Sequence, residues 1–360
     1  MAGAQPAPRA IGGGMNAAHP PGGSGGGRLA ELDALRGIAA LVVVIYHFST
    51  RFHEMFPAAA HVPFALTLGH DAVLLFFAIS GFVIAFSLST ATSVADFAVK
   101  RFARLYPAYW GAMAITLLVE YLGGIAALQV SPAAALANLS MLQGFAFLPQ
   151  VDGVYWTLSV ELAFYVCMAA LWTMGLMPRI ERVVLPWLAL SIVGMLWPPM
   201  PSRLSMLLVA DHIPFFLIGI LSCRVWMGAR RWAQQAPLFV ALLATVWLTD
   251  GVAALGTALF LVALFAALAA GQLRLLRAPP LLWLGGISYA LYLSHHNSGF
   301  IIMLTAQAAG FGPWSAAALA LAAAFAMAIL LHHVIEQPAI RLIRGWWARR
   351  RQAPERPALA

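Results

Sequence analysis

An arginine and a histidine stand eleven residues apart in LDALRGIAALVVVIYHF, residues 32–48. Eleven residues are close to three helical turns, so Arg36 and His47 fall on one face of a helix, ~16 Å apart along its axis. The rest of the segment is almost wholly apolar. Ionisable groups at membrane depth are costly and tend to mark function. A neutral imidazole can take a proton from a hydroxyl, and a neighbouring carboxylate can orient it and stabilise its cation. An arginine at the other level suits an anion, a phosphate above all.

Other polar residues inside apolar runs extend the pattern. Glu161 lies in VYWTLSVELAFYV, where a carboxylate needs a partner or a wet cavity; it is equally readable as a structural residue paired with His47 or a tyrosine. Asp71 and Asp211 open two further apolar segments, and Asp71 could cap its helix as readily as contact a ligand. Ser288, Tyr292 and His295 recur at i, i+4 and i+7, a stripe expected to line a cavity, while His296 points away from it and reads as packing. KRFARLYP supplies Lys100, Arg101, Arg104 and Tyr106; Arg101 and Arg104 share a helix face and could share one anion. His332 and Glu336 read as an i, i+4 pair at a helix end. Small residues at Ser80–Phe82 permit close helix packing. The histidines show no ligand spacing for a metal, and Cys167 and Cys223 read as core thiols.

The elements that must hold these residues follow from composition. Of 360 residues, 62% are hydrophobic and only 9% are charged, which excludes an ordinary soluble domain. Apolar runs of helical length recur, and the short alternating segments of a membrane barrel are absent. The expectation is an all-α polytopic membrane protein. Its helices are placed at 35–51, 71–89, 108–126, 154–176, 183–198, 208–227, 236–250, 252–271, 283–308 and 314–337. Ten spans put both termini on one side. Nineteen of the 21 Lys and Arg residues then fall on that side, leaving Arg51 and Arg203 opposite, which makes the termini cytoplasmic. The formal charge of +8 reflects this loop bias rather than nucleic-acid binding. Residues 1–27 are expected to be a disordered leader with no cleavable signal, and Met15 is a second candidate start. The membrane domain is expected over 28–346, with a disordered basic tail over 347–360. Residues 94–104 read as a short amphipathic helix, and 132–148 as an interfacial or re-entrant segment.

With that topology, Arg36, Lys100, Arg101 and Arg104 gather at the cytoplasmic edge. His47, Glu161, Asp211, His295 and Asp71 gather in the outer half, where Glu161 is the expected orienting partner of His47. An anionic donor would dock at the arginines and extend a reactive arm to the imidazole.

These stretches resemble acyltransferase family 3, the membrane O-acetylases of bacterial O-antigens, exopolysaccharides and nodulation factors. The resemblance runs over roughly residues 30–345, through LDALRGIAALVVVIYHF, GHDAVLLFFAISGFVI, FAVKRFARLYPAYW, VYWTLSVELAFYV, LGGISYALYLSHH and HHVIEQPAIRL. It implies a multi-pass protein of the bacterial inner membrane. It also implies transfer of an acyl group, commonly acetyl from acetyl-CoA, to a glycan hydroxyl, with acyl-CoA as a substrate rather than a bound cofactor. The family's essential arginine and histidine correspond to Arg36 and His47, its basic loop to Arg101 and Arg104, its buried glutamate to Glu161 and a further histidine to His295. Many glycan-modifying members carry an SGNH-type domain after the membrane helices, and this sequence shows none. A proton-coupled exporter of a glycan or lipid is the rival reading, since buried His and Glu also serve proton relays. Against it stand a one-sided basic site and the lack of a visible inverted repeat.

Overall fold

A computed structural model describes residues 29–196 and 202–352. The expected leader at 1–27 and the last eight residues of the basic tail lie outside the described residues. Among those described, every regular element is a helix. The long ones are α1 (Ala30–Tyr46), α2 (Ala72–Ser89), α3 (Val94–Gly123), α4 (Trp156–Thr173), α5 (Glu181–Leu196), α6 (Ile213–Trp226), α7 (Trp232–Ala269), α8 (Pro279–Ser294), α9 (His296–Ala308), α10 (Pro313–Leu331) and α11 (Gln337–Gln352).

Helix stands in each of the ten expected segments, with differences that matter. The amphipathic stretch and the third expected span form one helix, α3, started by Ser93, whose hydroxyl accepts from the Asp96 amide at 3.0 Å. The pair at 236–250 and 252–271 are two arms of α7 that meet at Gly251, where φ is 82°. The ninth segment is broken at His295 into α8 and α9. Residues 132–148 form a short helix, Pro132–Asn138, and a 3-10 turn, Gln143–Ala146. By length and apolarity five stretches suffice to cross a membrane: Ala30–Met55, Thr67–Ser89, Gly153–Thr173, Trp232–Ala269 and Pro313–Arg351.

The basic tail differs from expectation: α11 is helical through Gln352. The cause lies 250 residues earlier. The buried Asp96 carboxylate accepts from Lys100 Nζ at 2.7 Å, Trp347 Nε1 at 3.1 Å and Arg351 Nη1 at 3.1 Å, which ties α11 to the start of α3. Two helices contain a π turn, His47–Arg51 after α1 and His332–Glu336 after α10. Such turns widen the helix by one residue and recur at functional sites.

Two helix crossings depend on glycine. In α2 against α6, a Cβ on Gly219 would overlap the Ala78 carbonyl oxygen, and one on Gly81 the Phe216 carbonyl oxygen. In α1 against α8, a Cβ on Gly37 would lie 2.6 Å from the Gly285 nitrogen, and one on Gly285 would overlap the Asp33 carbonyl oxygen. Backbones this close gain dispersion along their length, and association of helices in lipid rests largely on such packing.

Gly219→Val is therefore expected to lower the thermal midpoint of the detergent-solubilised protein, with a loss of about 1–3 kcal/mol from overpacking. Gly256→Ala, where a Cβ meets nothing within 4 Å, should leave the midpoint in place. Equal midpoints for the two variants would remove the close-crossing argument.

Candidate functional site

The two crossing helices α1 and α8 run parallel and in register. Gly285 lies 248 residues after Gly37, and His295 lies 248 residues after His47. The glycine contact therefore brings the histidines together about ten residues, or ~15 Å, further along. His47 Nδ1 and His295 Nε2 are 2.9 Å apart. His295 Nδ1 also faces the carbonyls of Leu291 (3.0 Å) and Tyr292 (2.9 Å). A carbonyl can only accept, so Nδ1 of His295 carries the hydrogen, and in neutral rings its Nε2 must accept from His47 Nδ1–H. That leaves the lone pair of His47 on Nε2, the nitrogen able to take a proton. His295 itself is fully buried; it lines neither cavity of the site and acts behind His47.

Two cavities meet at this axis. The larger, about 940 Å³, is lined by Arg36, Lys100, Arg101 and Arg104, and by Glu161, Ser288 and Tyr289. The smaller, about 560 Å³, is lined by His47, His296, Arg51 and His70. Val73 and Tyr292 line both and form the wall between them. The Tyr292 hydroxyl sits 2.8 Å from Thr157 Oγ1 and 3.1 Å from the Val154 carbonyl, which fixes the ring to the start of α4.

The basic group converges as expected, but each cation has its own support. Lys100 pairs with Asp96 at 2.7 Å. Arg101 donates to Ser87 Oγ at 3.3 Å and lies over the Phe97 and Tyr165 rings. Arg104 pairs with Glu336 and lies over the Tyr289 ring. Glu336 also meets His332 Nδ1 at 2.9 Å, so the expected helix-end pair exists and extends to α3. Arg36 approaches Asp33 only at 4.0 Å.

Five expectations are corrected, the first being that His295, expected to line the cavity, lines neither. Glu161 does not orient His47: its Oε1 accepts from Ser80 Oγ at 3.1 Å and from the Tyr165 hydroxyl at 2.5 Å, in the arginine cavity. Tyr106 is two residues past Arg104, some 200° round the helix, and donates to the Ser140 carbonyl at 3.0 Å instead of lining the donor cavity. Asp71 accepts from Thr257 Oγ1 at 3.0 Å and lines neither cavity. Asp211 accepts from Ser205 Oγ at 3.0 Å, likewise away from both. Of the α8 stripe, Ser288 and Tyr292 line cavities as expected.

Sequence reasoning missed the group behind the second imidazole. His296, at the junction of α8 and α9, lines the smaller cavity, its ring centroid 4.5 Å from that of His47. His296 Nδ1 lies 3.2 Å from Asp152 Oδ1 and 2.7 Å from Asn297 Oδ1. Asp152 also accepts from the amides of Val154 and Asn297, each at 3.1 Å. Burial pushes the Asp152 carboxyl up, but its interaction with His296 and the hydrogen bond from the Val154 amide hold it below its usual value. Asp152 is thus an anion with all its donors in place. The only signal in the sequence was an aspartate immediately before the glycine that opens an apolar run.

A family model described as "Acyltransferase domain", of acyltransferase family 3, matches residues 29–333. "Nodulation protein 10" of Rhizobium leguminosarum bv. viciae is 27% identical, covering 89% of this chain and 95% of that protein. "Acyltransferase MdmB" of Streptomyces mycarofaciens is 30% identical, covering 88% of this chain and 92% of that protein. No solved structure matches. The matched span contains both cavities' histidines, Arg36 and the α3 basic group, and the chain is an acyltransferase belonging to acyltransferase family 3.

Proposed function

We propose that the protein moves an acyl group, acetyl in the first instance, from acyl-CoA to a hydroxyl of a glycan or related envelope acceptor. The observation that carries this reading is the pair of cavities meeting at Val73 and Tyr292, one rich in arginine and lysine and the other in imidazole. Phosphates of the donor would sit among Arg36, Lys100, Arg101 and Arg104, where guanidinium forks match phosphate oxygens. The thioester arm would run past Tyr292 toward His47. The acceptor would enter the smaller cavity. In this reading all ten helical segments cross the bacterial inner membrane, both termini and the arginine cavity face the cytoplasm, and the histidine cavity faces outward. The one-sided distribution of Lys and Arg supports that orientation.

The chemistry needs little beyond positioning. The acceptor oxygen bonds to the acyl carbon as its proton passes to His47 Nε2. The carbon–sulfur electrons leave with CoA, and the imidazolium returns the proton to sulfur. Glu161, held by Ser80 and Tyr165, belongs to the donor side and balances the cations around it rather than serving the base.

Release of free CoA by the purified protein in nanodiscs, with acetyl-CoA and a soluble sugar acceptor, tests the reading. His47→Ala is expected to lower turnover by about 10²–10⁴-fold. Arg36→Ala should raise the KM for acetyl-CoA by about tenfold or more, with a smaller effect on kcat, as loss of one charged hydrogen bond does. His295→Phe keeps His47 but loses its tautomer lock, so kcat should fall while donor KM holds. A wild-type protein that neither binds nor cleaves any acyl-CoA would sink the donor assignment and favour the exporter.

A further inference from the structure

The proposed reaction leaves one buried group unused. Asp152 has no solvent exposure, and every donor around it is fixed. Its Oδ1 faces His296 Nδ1, its Oδ2 accepts the Asn297 amide, and the Asn297 side chain donates onward to Glu120 Oε1 at 2.7 Å and to the Val151 carbonyl at 2.9 Å. His296 lies close against the turn: a Cβ on Gly153 would lie 2.7 Å from its Cε1. Its Nδ1 lies between Asn297 Oδ1 at 2.7 Å and Asp152 Oδ1 at 3.2 Å, and its ring packs on that of His47 at 82°. A buried carboxylate with this many ordered partners is an expensive way to fill space. The same arrangement, a carboxylate behind an imidazole, stabilises positive charge that arrives during a proton transfer.

We propose that Asp152, acting through His296, is the counter-charge for the proton that His47 takes from the acceptor hydroxyl. Both are positioning residues, and the inference rests on the reaction proposed above. As the acceptor oxygen bonds to the acyl carbon, its proton moves to His47 Nε2. The carbon–sulfur bond breaks with its electrons on sulfur, and the same proton then goes to the thiolate. No net charge is gained or lost, but the intermediate imidazolium must be held in an apolar bundle. His295 cannot hold it, because its Nδ1–H is committed to two carbonyls and it brings no negative charge. Around His47 the remaining ionisable groups include Tyr46, whose ring lies 5.1 Å from its own, Tyr292 in the cavity wall, Arg51, which follows it in the π turn and pairs with Glu54 at 2.9 Å, and His70, at the rim beside Asp71. Glu120, on α3, stands one residue further back behind Asn297. Asp152 is the carboxylate that reaches an imidazole packed on His47 from within the bundle.

The test is the pH dependence of acetyl-CoA turnover by the full chain in nanodiscs, wild type beside Asp152→Asn, Asp152→Glu and His296→Gln. Removing the anion makes the imidazolium harder to form, so the base titrates at lower pH. Asp152→Asn should therefore shift the midpoint of the rising limb down by about one pH unit and lower the plateau about 10–100-fold. Donor KM should stay within about twofold of wild type, because the arginine cavity is intact. Asp152→Glu restores the charge and should bring the midpoint back toward wild type even if the plateau stays low. His296→Gln should behave as Asp152→Asn does, and it carries the test if that variant does not fold. A low plateau with an unmoved midpoint in both Asp152→Asn and His296→Gln would make the pair purely structural and overturn the inference while leaving the reaction standing. Wild-type protein inert toward every acyl-CoA would overturn the reaction, and this inference with it.

Discussion

The register of α1 against α8 is the constraint on which the site depends. Gly37 and Gly285 let the two backbones touch, and the parallel direction carries that contact forward to His47 and His295 without a change of offset. A slip of one residue would rotate every side chain by about 100° and break the imidazole pair. The same crossing sets Arg36 beside Gly37, at the mouth of the arginine cavity. One backbone contact thus fixes both levels of the site, the cation at one end and the base at the other. The π turn begins at His47 itself, so the helix is regular up to the imidazole and widens only beyond it.

Polar groups in this bundle are segregated by charge and by partner. In the arginine cavity Lys100, Arg101 and Arg104 each have a close partner, an aspartate, a serine and a glutamate in turn, with aromatic rings beneath the two arginines. Such support holds guanidinium groups in place before any anion arrives, which reduces the ordering cost of binding. In the histidine cavity the positive charge on His47 is transient in the proposed reaction, and the supporting anion sits one imidazole away from His47 rather than on it. A carboxylate bonded directly to His47 Nδ1 would be the arrangement of a hydrolase triad. Here a neutral histidine occupies that place and sets the tautomer, and the charge is supplied from the side.

Much of this was legible in the sequence, and the failures have a common cause. Apolar runs placed the helices, and the Arg36–His47 spacing, the α3 basic group and the Ser288–Tyr292 pair were visible as residue types at helical intervals. Rotation about each helix was not. Glu161 was matched to His47 by depth, yet its azimuth on α4 delivers it to Ser80 and Tyr165. Tyr106 was grouped with Arg104 by proximity in sequence, although two residues on a helix point to nearly opposite sides. His296 was set aside because it lies off His295's face; the cavity proves to lie on the side of His296, and His295 lines none. The order of α11 was hidden for a different reason: its anchor, Asp96, lies on another helix some 250 residues away.

The wall between the cavities and the anion behind the base are parts of one local structure. Asp152 accepts the Val154 amide, and the Val154 carbonyl accepts the Tyr292 hydroxyl, so the 3-10 turn Gly153–Tyr155 links them directly. Thr157, one turn further, holds the same hydroxyl. An arm passing from the arginine cavity to His47 must move the Tyr292 ring or thread beside it and Val73. Either path works against hydrogen bonds whose other end is the backbone that presents Asp152. In the proposed reaction, passage of the donor arm and placement of the anion behind His47 would therefore be connected through four residues at the start of α4. A side chain at Gly153 would displace the His296 ring, because a Cβ there would lie 2.7 Å from its Cε1. The short sequence DGVY, unremarkable beside the arginine and histidine motifs, thus carries the coupling between the two halves of the site.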